Sequence, residues 1–140
     1  RLIGAVNKKI PLPLAAVDNQ RSLIYAANLT HAILSCLLQP AAAGQTYFVS
    51  DGEDVSTPEL IRRLAAALNV PPRLIPVPLA VLRPASRILG IGETVARVTE
   101  SLQVDSSKIR SQLGWIPPFS LSQGLVETVQ WYRSRFQPRR

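Results

Sequence analysis

The segment from Asp105 to Gln123 constrains the fold of this sequence most, because its residues predict where one helix begins and ends and where the next helix begins. Asp105 is placed to cap a short helix, and Gly114 follows where glycine commonly ends one. Trp115 and the prolines after it make a rigid, bulky connector that fills core. Ser120 and Gln123 have the capping-box spacing. The segment therefore predicts a final amphipathic helix locked against the rest of the domain by a buried tryptophan.

The remainder of the chain alternates between extended and helical patterns. Further helices are predicted for residues 2–6, 28–39, 57–68, 79–89 and 93–101, with Asn28 and Ser56 as caps. Strand formers are concentrated at residues 21–25 and 45–50, whereas the proline-rich residues 10–14 and 74–78 are extended. In the final helix, the predicted inner side consists of Leu121, Leu125, Val126, Val129 and Tyr132. The order of these elements predicts an α/β fold.

Length and composition set the class of protein. The 140 residues are enough for one domain, and the 46% apolar content is enough for a core. No run of about 18 apolar residues is present, which excludes a membrane-spanning segment. Residues 1–10 have no signal-peptide pattern. We expect a cytoplasmic protein without a membrane partner.

The net charge of +7 does not by itself indicate nucleic-acid binding. Most arginines are scattered, apart from Arg133, Arg135, Arg139 and Arg140 at the end, and no nucleic-acid-binding motif accompanies them. Solvated helix faces and a basic tail at residues 137–140 explain the charge. A basic nucleic-acid-binding module stays open as an alternative, and steep salt dependence on DNA would reveal it.

One cysteine and one histidine exclude several kinds of chemistry. Cys36 cannot form an intrachain disulfide, and its apolar neighbours predict a small buried side chain. His31 lies five residues away, which is not a same-face spacing on a helix. We expect neither a Cys-His pair nor a metal site.

The start of the chain suggests that a longer protein contains it. Arg1 is not an initiator methionine, and Leu2, Ile3 and Val6 form the apolar stripe of a helix already under way. We therefore expect residues 1–10 to be the remnant of a helix from a preceding part.

Four stretches, taken in order, resemble the C-terminal portion of the extended short-chain dehydrogenase/reductases, the NAD-dependent epimerases and dehydratases of nucleotide sugars. They are Leu12-Pro13-Leu14-Ala15, Arg21-Ser22-Leu23-Ile24-Tyr25 with Asn28-Leu29, Tyr47-Phe48-Val49-Ser50, and Asp105 through Pro117. The resemblance implies that residues 11–136 are a nucleotide-sugar-binding domain. This chain departs from the family pattern at Ala26-Ala27, where the family commonly has a valine and an aspartate.

In that family the N-terminal Rossmann core holds NAD with a glycine-rich loop and carries a Tyr-x-x-x-Lys pair. The tyrosines Tyr25, Tyr47 and Tyr132 of this chain are followed four residues later by Leu29, Asp51 and Phe136. The glycines are too sparse for the dinucleotide fingerprint. The resemblance thus implies no catalytic or NAD-binding residue here, and a chain that is inactive alone.

The resemblance also assigns candidate substrate-binding residues. Arg21 matches an arginine that reaches the pyrophosphate, and a guanidinium suits that role because it offers planar, permanently charged donors. Residues Pro13, Leu14 and Ala15 match a loop that lies against the nucleotide base. Arg97 is the candidate for a second phosphate or ribose contact. Arg83 and Arg87 are its alternatives.

The function implied by the resemblance belongs to the intact protein. It is the epimerisation of a UDP-hexose at C4 with tightly held NAD, in a homodimer. A 4-keto-sugar reductase or a dehydratase of the same family would use the same substrate grip. A non-catalytic Rossmann-like nucleotide-binding protein is the alternative from another class, and residues upstream of Arg1 distinguish the two.

Overall fold

A computed structural model describes residues 2–136, so Arg1 and the predicted basic tail at 137–140 lie outside the described residues. The described α-helices are α1 (Leu2–Asn7), α2 (Ala26–Leu38), α3 (Thr57–Leu68), α4 (Leu79–Ile88), α5 (Gly92–Thr99), α6 (Ser107–Leu113) and α7 (Leu121–Phe136). Strand β1 (Arg21–Ser22) pairs antiparallel with β2 (Asp54–Val55), and Arg21 lies opposite Val55. A 3₁₀ turn at Pro40–Ala42 follows α2.

Local capping signals set three helix ends where the sequence predicts them. The Ser56 side chain accepts a hydrogen bond from the Glu59 amide at the start of α3. Before α7, the Gln123 amide donates to Ser120 Oγ, and Gln123 Oε1 accepts from the Ser120 amide. Gly114 ends α6 with φ of 63°. These predictions are confirmed, because each depends on neighbours within three or four residues.

The larger core joins five helices to the N-terminal loop. Its buried members are Val6, Leu14, Val17, Ile61, Leu64, Ala65, Leu68, Leu82, Val95 and Val129. They come from α1, α3, α4, α5 and α7, with Leu14 and Val17 from the loop before β1. This cluster holds α4 and α5, which carry three of the candidate arginines, against the body of the protein.

A second core lies between α2 and α6. Ala32, Ile109, Leu113 and Trp115 are buried there. The Trp115 indole Nε1 donates to His31 Nδ1 at 3.0 Å, which supplies the partner that a buried indole N–H needs. The prediction that Trp115 fills core is confirmed. Cys36 is half-buried beside this cluster.

The strand predicted at residues 45–50 is wrong for the described residues. This segment is not part of a β-ladder, and Phe48 within it is exposed. The strand predicted at residues 21–25 is also shorter, since β1 holds only Arg21 and Ser22. A strand needs a hydrogen-bonded neighbour, and residues 45–50 find none among residues 2–136.

Two predicted side-chain roles also differ. Asn28 does not cap α2, because the helix begins two residues earlier and Tyr25 occupies the N-cap position. Asn28 instead lies fully buried in the first turn of α2. Val126, predicted on the inner side of α7, is exposed, whereas Leu121 and Val129 are buried as predicted. None of the helices in the described part is both long and apolar enough to cross a bilayer.

Candidate functional site

Arg21 lies at the start of β1 and points to the end of α5. Its Nη1 donates to the carbonyl oxygens of Arg97 and Glu100, at 3.0 Å for Glu100. Carbonyls at a helix C-terminus lack intrahelical partners and carry partial negative charge, so a guanidinium is a favourable cap. Both contacts use Nη1, which leaves Nε and Nη2 as donors that no described residue accepts.

The backbone around Arg21 is fixed on both sides. β2 pairs with one edge of β1, and Leu102 bridges the other edge in parallel. The Ser22 amide donates to the Leu102 carbonyl at 2.8 Å, and the Leu102 amide donates to the Gln20 carbonyl at 2.9 Å. The segment that follows α5 therefore forms a third strand-like line beside β1, and it brings Arg97 close to Arg21.

Asn19 and Thr57 form a buried hydrogen-bonded pair that the sequence analysis missed. Asn19 Oδ1 accepts from the Thr57 amide at 2.8 Å, and Asn19 Nδ2 donates to Thr57 Oγ1 and to the Glu100 carbonyl. Thr57 Oγ1 donates to the Val98 carbonyl at 2.6 Å. These bonds tie the start of α3 to the end of α5. The only signal in the sequence is an asparagine two residues before Arg21.

A cleft between α4 and α5 is lined by one cation, Arg87, and one carboxylate, Glu93. It has a volume of about 600 Å³ and is lined by residues of the connection between the two helices, with Arg87 on one side. A smaller recess of about 110 Å³ beside it is lined in part by Arg83, Arg87 and Glu100. Arg83 and Arg87 are one helical turn apart, so their side chains share a face.

Arg97 is exposed, as are the two alternative arginines, Arg83 and Arg87. The side chain of Arg97 is 81% exposed, and its Nη2 lies 3.7 Å from the Glu93 carboxylate, one turn earlier on α5. An ion pair this exposed is weak and easily exchanged for another anion. Arg97 can therefore turn toward a phosphate, while its own carbonyl holds Arg21 in place.

The loop of Pro13, Leu14 and Ala15 lies against residues 73–75, in the connection between α3 and α4. The Ala15 amide donates to the Ile75 carbonyl, the Leu14 amide donates within the loop, and proline has no N–H. The Leu14 side chain is a core residue. A nucleotide base at this loop would meet carbonyl acceptors and the half-buried surfaces of Pro13 and Ala15, since the main-chain donors are already used.

Close to Arg21, hydrogen bonds hold one carboxylate in its charged form. Ser22 Oγ donates to Asp54 Oδ1 at 2.6 Å, and Gln103 Nε2 donates to Asp54 Oδ2 at 2.9 Å. The Ser22 hydroxyl first, and the Gln103 amide second, lower the pKa of Asp54 below its usual value. Asp54 is therefore a stable negative charge beside β1.

The described residues do not fit a dinucleotide or a metal ion. Within residues 2–136, no three His, Cys, Asp or Glu side chains are grouped as metal ligands. Gly90 lies between two helices and Gly92 is the first residue of α5, whereas a dinucleotide loop connects a strand to a helix. The chemistry that this arrangement supports is the binding of an anion, with phosphate oxygens as the matching acceptors.

The architecture corresponds to the C-terminal part of an extended Rossmann-type enzyme. A nucleoside-diphosphate-sugar epimerase from Pseudomonas aeruginosa superimposes with a TM-score of 0.74 at 24% identity, over 97% of this chain and 42% of that one. A Bordetella bronchiseptica enzyme in complex with NAD+ and UDP gives a TM-score of 0.64 at 19% identity, over 96% and 36% of the two chains.

Sequence comparison defines the family. The chain is 42% identical over 130 residues to a UDP-glucose 4-epimerase from Vibrio cholerae, an alignment that covers 92% of this chain and 40% of that protein. No protein-family model matches the chain. The chain belongs to the extended short-chain dehydrogenase/reductases that act as nucleotide-sugar epimerases and dehydratases, and it matches their C-terminal part. It spans about two fifths of the length of the relative from Vibrio cholerae.

Proposed function

We propose that residues 11–136 are the nucleotide-sugar-binding part of a NAD-dependent epimerase that inverts C4 of a UDP-linked hexose. The junction between Arg21 and α5 carries this proposal, because it fixes the Arg21 guanidinium against the Arg97 and Glu100 carbonyls through Nη1 alone. The identity with a UDP-glucose 4-epimerase supports the substrate class and the reaction.

In this proposal the chain binds and orients the substrate. Arg21 uses Nη1 to hold the end of α5 and offers Nε and Nη2 to a diphosphate. Arg97 supplies a second cation, with Arg83 and Arg87 as alternatives on the facing helix. The loop at Pro13, Leu14 and Ala15 offers carbonyl oxygens to the base. Charge-assisted hydrogen bonds of this kind fix a diphosphate strongly and in one orientation.

The proposal assigns the oxidation and the catalytic base to another part of the intact protein. NAD, when bound there, supplies transient oxidation of the sugar at C4. None of residues 2–136 fits that cofactor, so this chain alone is expected to be inactive. The resemblance further implies a cytoplasmic homodimer for the intact enzyme, which a size measurement on that enzyme tests.

An apolar face supports the proposal that a further part of the protein packs on this chain. Ile33 and Leu37 of α2 are exposed and line a groove of about 600 Å³ that continues to Tyr47 and Val49. Helix α2 carries no charged residue. The neighbouring residues 45–50 have β-forming side chains and belong to no ladder among residues 2–136. We propose that the NAD-binding part covers this groove and pairs with residues 45–50.

The test is UDP binding by the intact protein, measured by calorimetry. Arg21→Ala should weaken binding by about 1 to 3 kcal/mol, as expected when a charged hydrogen bond is lost, and should raise KM for the UDP-sugar. Arg97→Ala should weaken binding as well. Arg62→Ala is the matched control, since Arg62 is an exposed arginine of α3 paired with Glu59. Unchanged UDP affinity in the Arg21 and Arg97 variants would refute the proposed grip.

A further inference from the structure

The C-terminal end of α5 is held by side chains that lie outside the helix. The last carbonyls of an α-helix have no amide partner within the helix, and α5 ends at Thr99. The carbonyl oxygens of Arg97, Val98 and Glu100 instead accept hydrogen bonds from the side chains of three distant residues. Those donors come from the segment before β1, from β1 itself and from the start of α3. The position of this helix end therefore depends on tertiary contacts rather than on α5 alone.

One carbonyl oxygen joins Arg21 to a buried asparagine. Asn19 Nδ2 and Arg21 Nη1 both donate to the Glu100 carbonyl, each at 3.0 Å. A carbonyl oxygen has two lone pairs, so it can accept both bonds. Asn19 is 2% exposed, whereas Arg21 is half-buried. The buried amide group therefore fixes the same oxygen against which the Arg21 guanidinium rests.

Thr57 connects this helix end to α3. Its hydroxyl donates to the Val98 carbonyl at 2.6 Å and accepts from Asn19 Nδ2 at 3.1 Å, and its amide donates to Asn19 Oδ1 at 2.8 Å. Thr57 is 2% exposed and is the first residue of α3, whose inner side lies in the larger core. A buried network in which each polar group is paired makes its surroundings rigid. The Thr57 hydroxyl thus links a rigid helix start to the end of α5 that holds Arg21.

We infer that Thr57, together with Asn19, is a positioning residue for the diphosphate-binding guanidinium of Arg21. This inference rests on the proposed function, in which Arg21 offers Nε and Nη2 to the diphosphate. Thr57 acts through the end of α5 rather than by contact with the ligand. A guanidinium that is already fixed loses less conformational freedom when a phosphate binds, so binding is tighter.

The test is the affinity of the intact protein for UDP, measured by calorimetry, together with KM and kcat for the UDP-sugar. Thr57→Val keeps the size of the side chain and removes the hydroxyl. The Kd for UDP and the KM should both rise by about three- to tenfold, as expected when one side chain must be ordered on binding, with kcat nearly unchanged. Thr57→Ala removes the same hydroxyl without placing a methyl group against the Val98 carbonyl, so it is the second variant if the valine variant does not fold.

Two further variants control for a merely structural effect. Thr57→Ser retains the hydroxyl and should bind UDP like the unaltered protein. Thr99→Val makes the valine change at a second buried threonine, which is 5% exposed and whose hydroxyl donates to the Val95 carbonyl inside α5. It should leave the Kd for UDP nearly unchanged. Equal effects of Thr57→Val and Thr99→Val on that Kd overturn the inference, as does a loss of affinity in Thr57→Ser.

The double variant Thr57→Val with Arg21→Ala separates this inference from the proposed function. If Thr57 acts through Arg21, Thr57→Val should add little once the guanidinium is gone, so the two effects on the Kd are not additive. Additive effects overturn the inference, and so does unchanged affinity in the Thr57 variants beside weakened binding in Arg21→Ala. The proposed function stands in both cases. Unchanged affinity in Arg21→Ala refutes the proposed function and this inference together.

Discussion

Asn28 and Asp51 are joined by a buried hydrogen bond of 2.6 Å, in which Asn28 Nδ2 donates to Asp51 Oδ1. The same amide group donates to the Phe119 carbonyl at 2.8 Å and accepts from the Phe119 amide at 3.0 Å. Asp51 also accepts from the Tyr25 amide. One side chain thus connects α2, the segment before β2 and the start of α7.

Replacing Asn28 should therefore be costly. Asn28→Ala leaves the Phe119 amide and carbonyl unpaired and removes a donor from the buried Asp51 carboxylate. We expect the free energy of unfolding to fall by about 2 to 4 kcal/mol. Urea denaturation followed by circular dichroism measures it. Thr30→Ala, an exposed change on the same helix, should cost about 0.5 kcal/mol or less. Equal losses in the two variants would contradict the role given to Asn28.

Gly124 allows α7 to approach Tyr25. A Cβ at this position would lie 2.8 Å from Tyr25 Cβ and Cγ, which are not the flexible end of that side chain. Alanine favours a helix over glycine by about 1 kcal/mol, but overpacking costs about 1 to 3 kcal/mol. Gly124→Ala should therefore destabilise the protein by about 1 kcal/mol in thermal unfolding. Ser122→Ala, on the exposed side of the same turn, is the control, and a stability gain in Gly124→Ala would show that Tyr25 moves freely.

The bond from Ser22 to Asp54 has a consequence for pH dependence. The folded protein holds the pKa of Asp54 below 3.8, so its contribution to stability is present above that pH and is lost as pH falls through the lower folded value. Ser22→Ala should raise the pKa of Asp54 toward 3.8, as measured by NMR titration of the side-chain carboxyl.

Asp105 is the internal control for that titration. Its pKa is lowered by the Ser107 amide at the start of α6, a contact that does not involve Ser22. The pKa of Asp105 should therefore stay unchanged in Ser22→Ala. A change in the pKa of both carboxyls would indicate a general loss of structure. No change in either pKa would show that Ser22 does not lower the pKa of Asp54.

Sequence reasoning succeeded where the deciding contacts are local. Gly114 and the Ser120 capping box act within one helical turn, so spacing alone predicts them. It failed for Asn28, whose partner Phe119 lies ninety-one residues away. The resemblance assigned Arg21 to phosphate binding, but no spacing rule indicates that the same guanidinium also caps the C-terminus of α5. Residues 45–50 have strand-forming side chains, but pairing depends on a neighbour that the pattern cannot supply.

The uncovered apolar groove of α2 leads to a prediction about the 140-residue chain by itself. With Ile33 and Leu37 in water, this chain should self-associate as its concentration rises, because burial of apolar area drives association. Sedimentation velocity measures the effect. The double variant Ile33→Ser with Leu37→Ser should restore the monomer. The control, Ile116→Ser with Val126→Ser, changes two exposed aliphatic side chains outside the groove and should not.

The same pair of variants distinguishes the occupant of the groove. If the NAD-binding part covers α2 in the intact protein, Ile33→Ser with Leu37→Ser should lower its stability by about 3 kcal/mol or more, since each side chain leaves a buried site for a polar one. If a second copy covers it, the variant should leave the stability of the intact monomer nearly unchanged and abolish only the dimer. If the 140-residue chain stays monomeric at every concentration, the groove is stable while exposed to water, and the proposed packing is wrong.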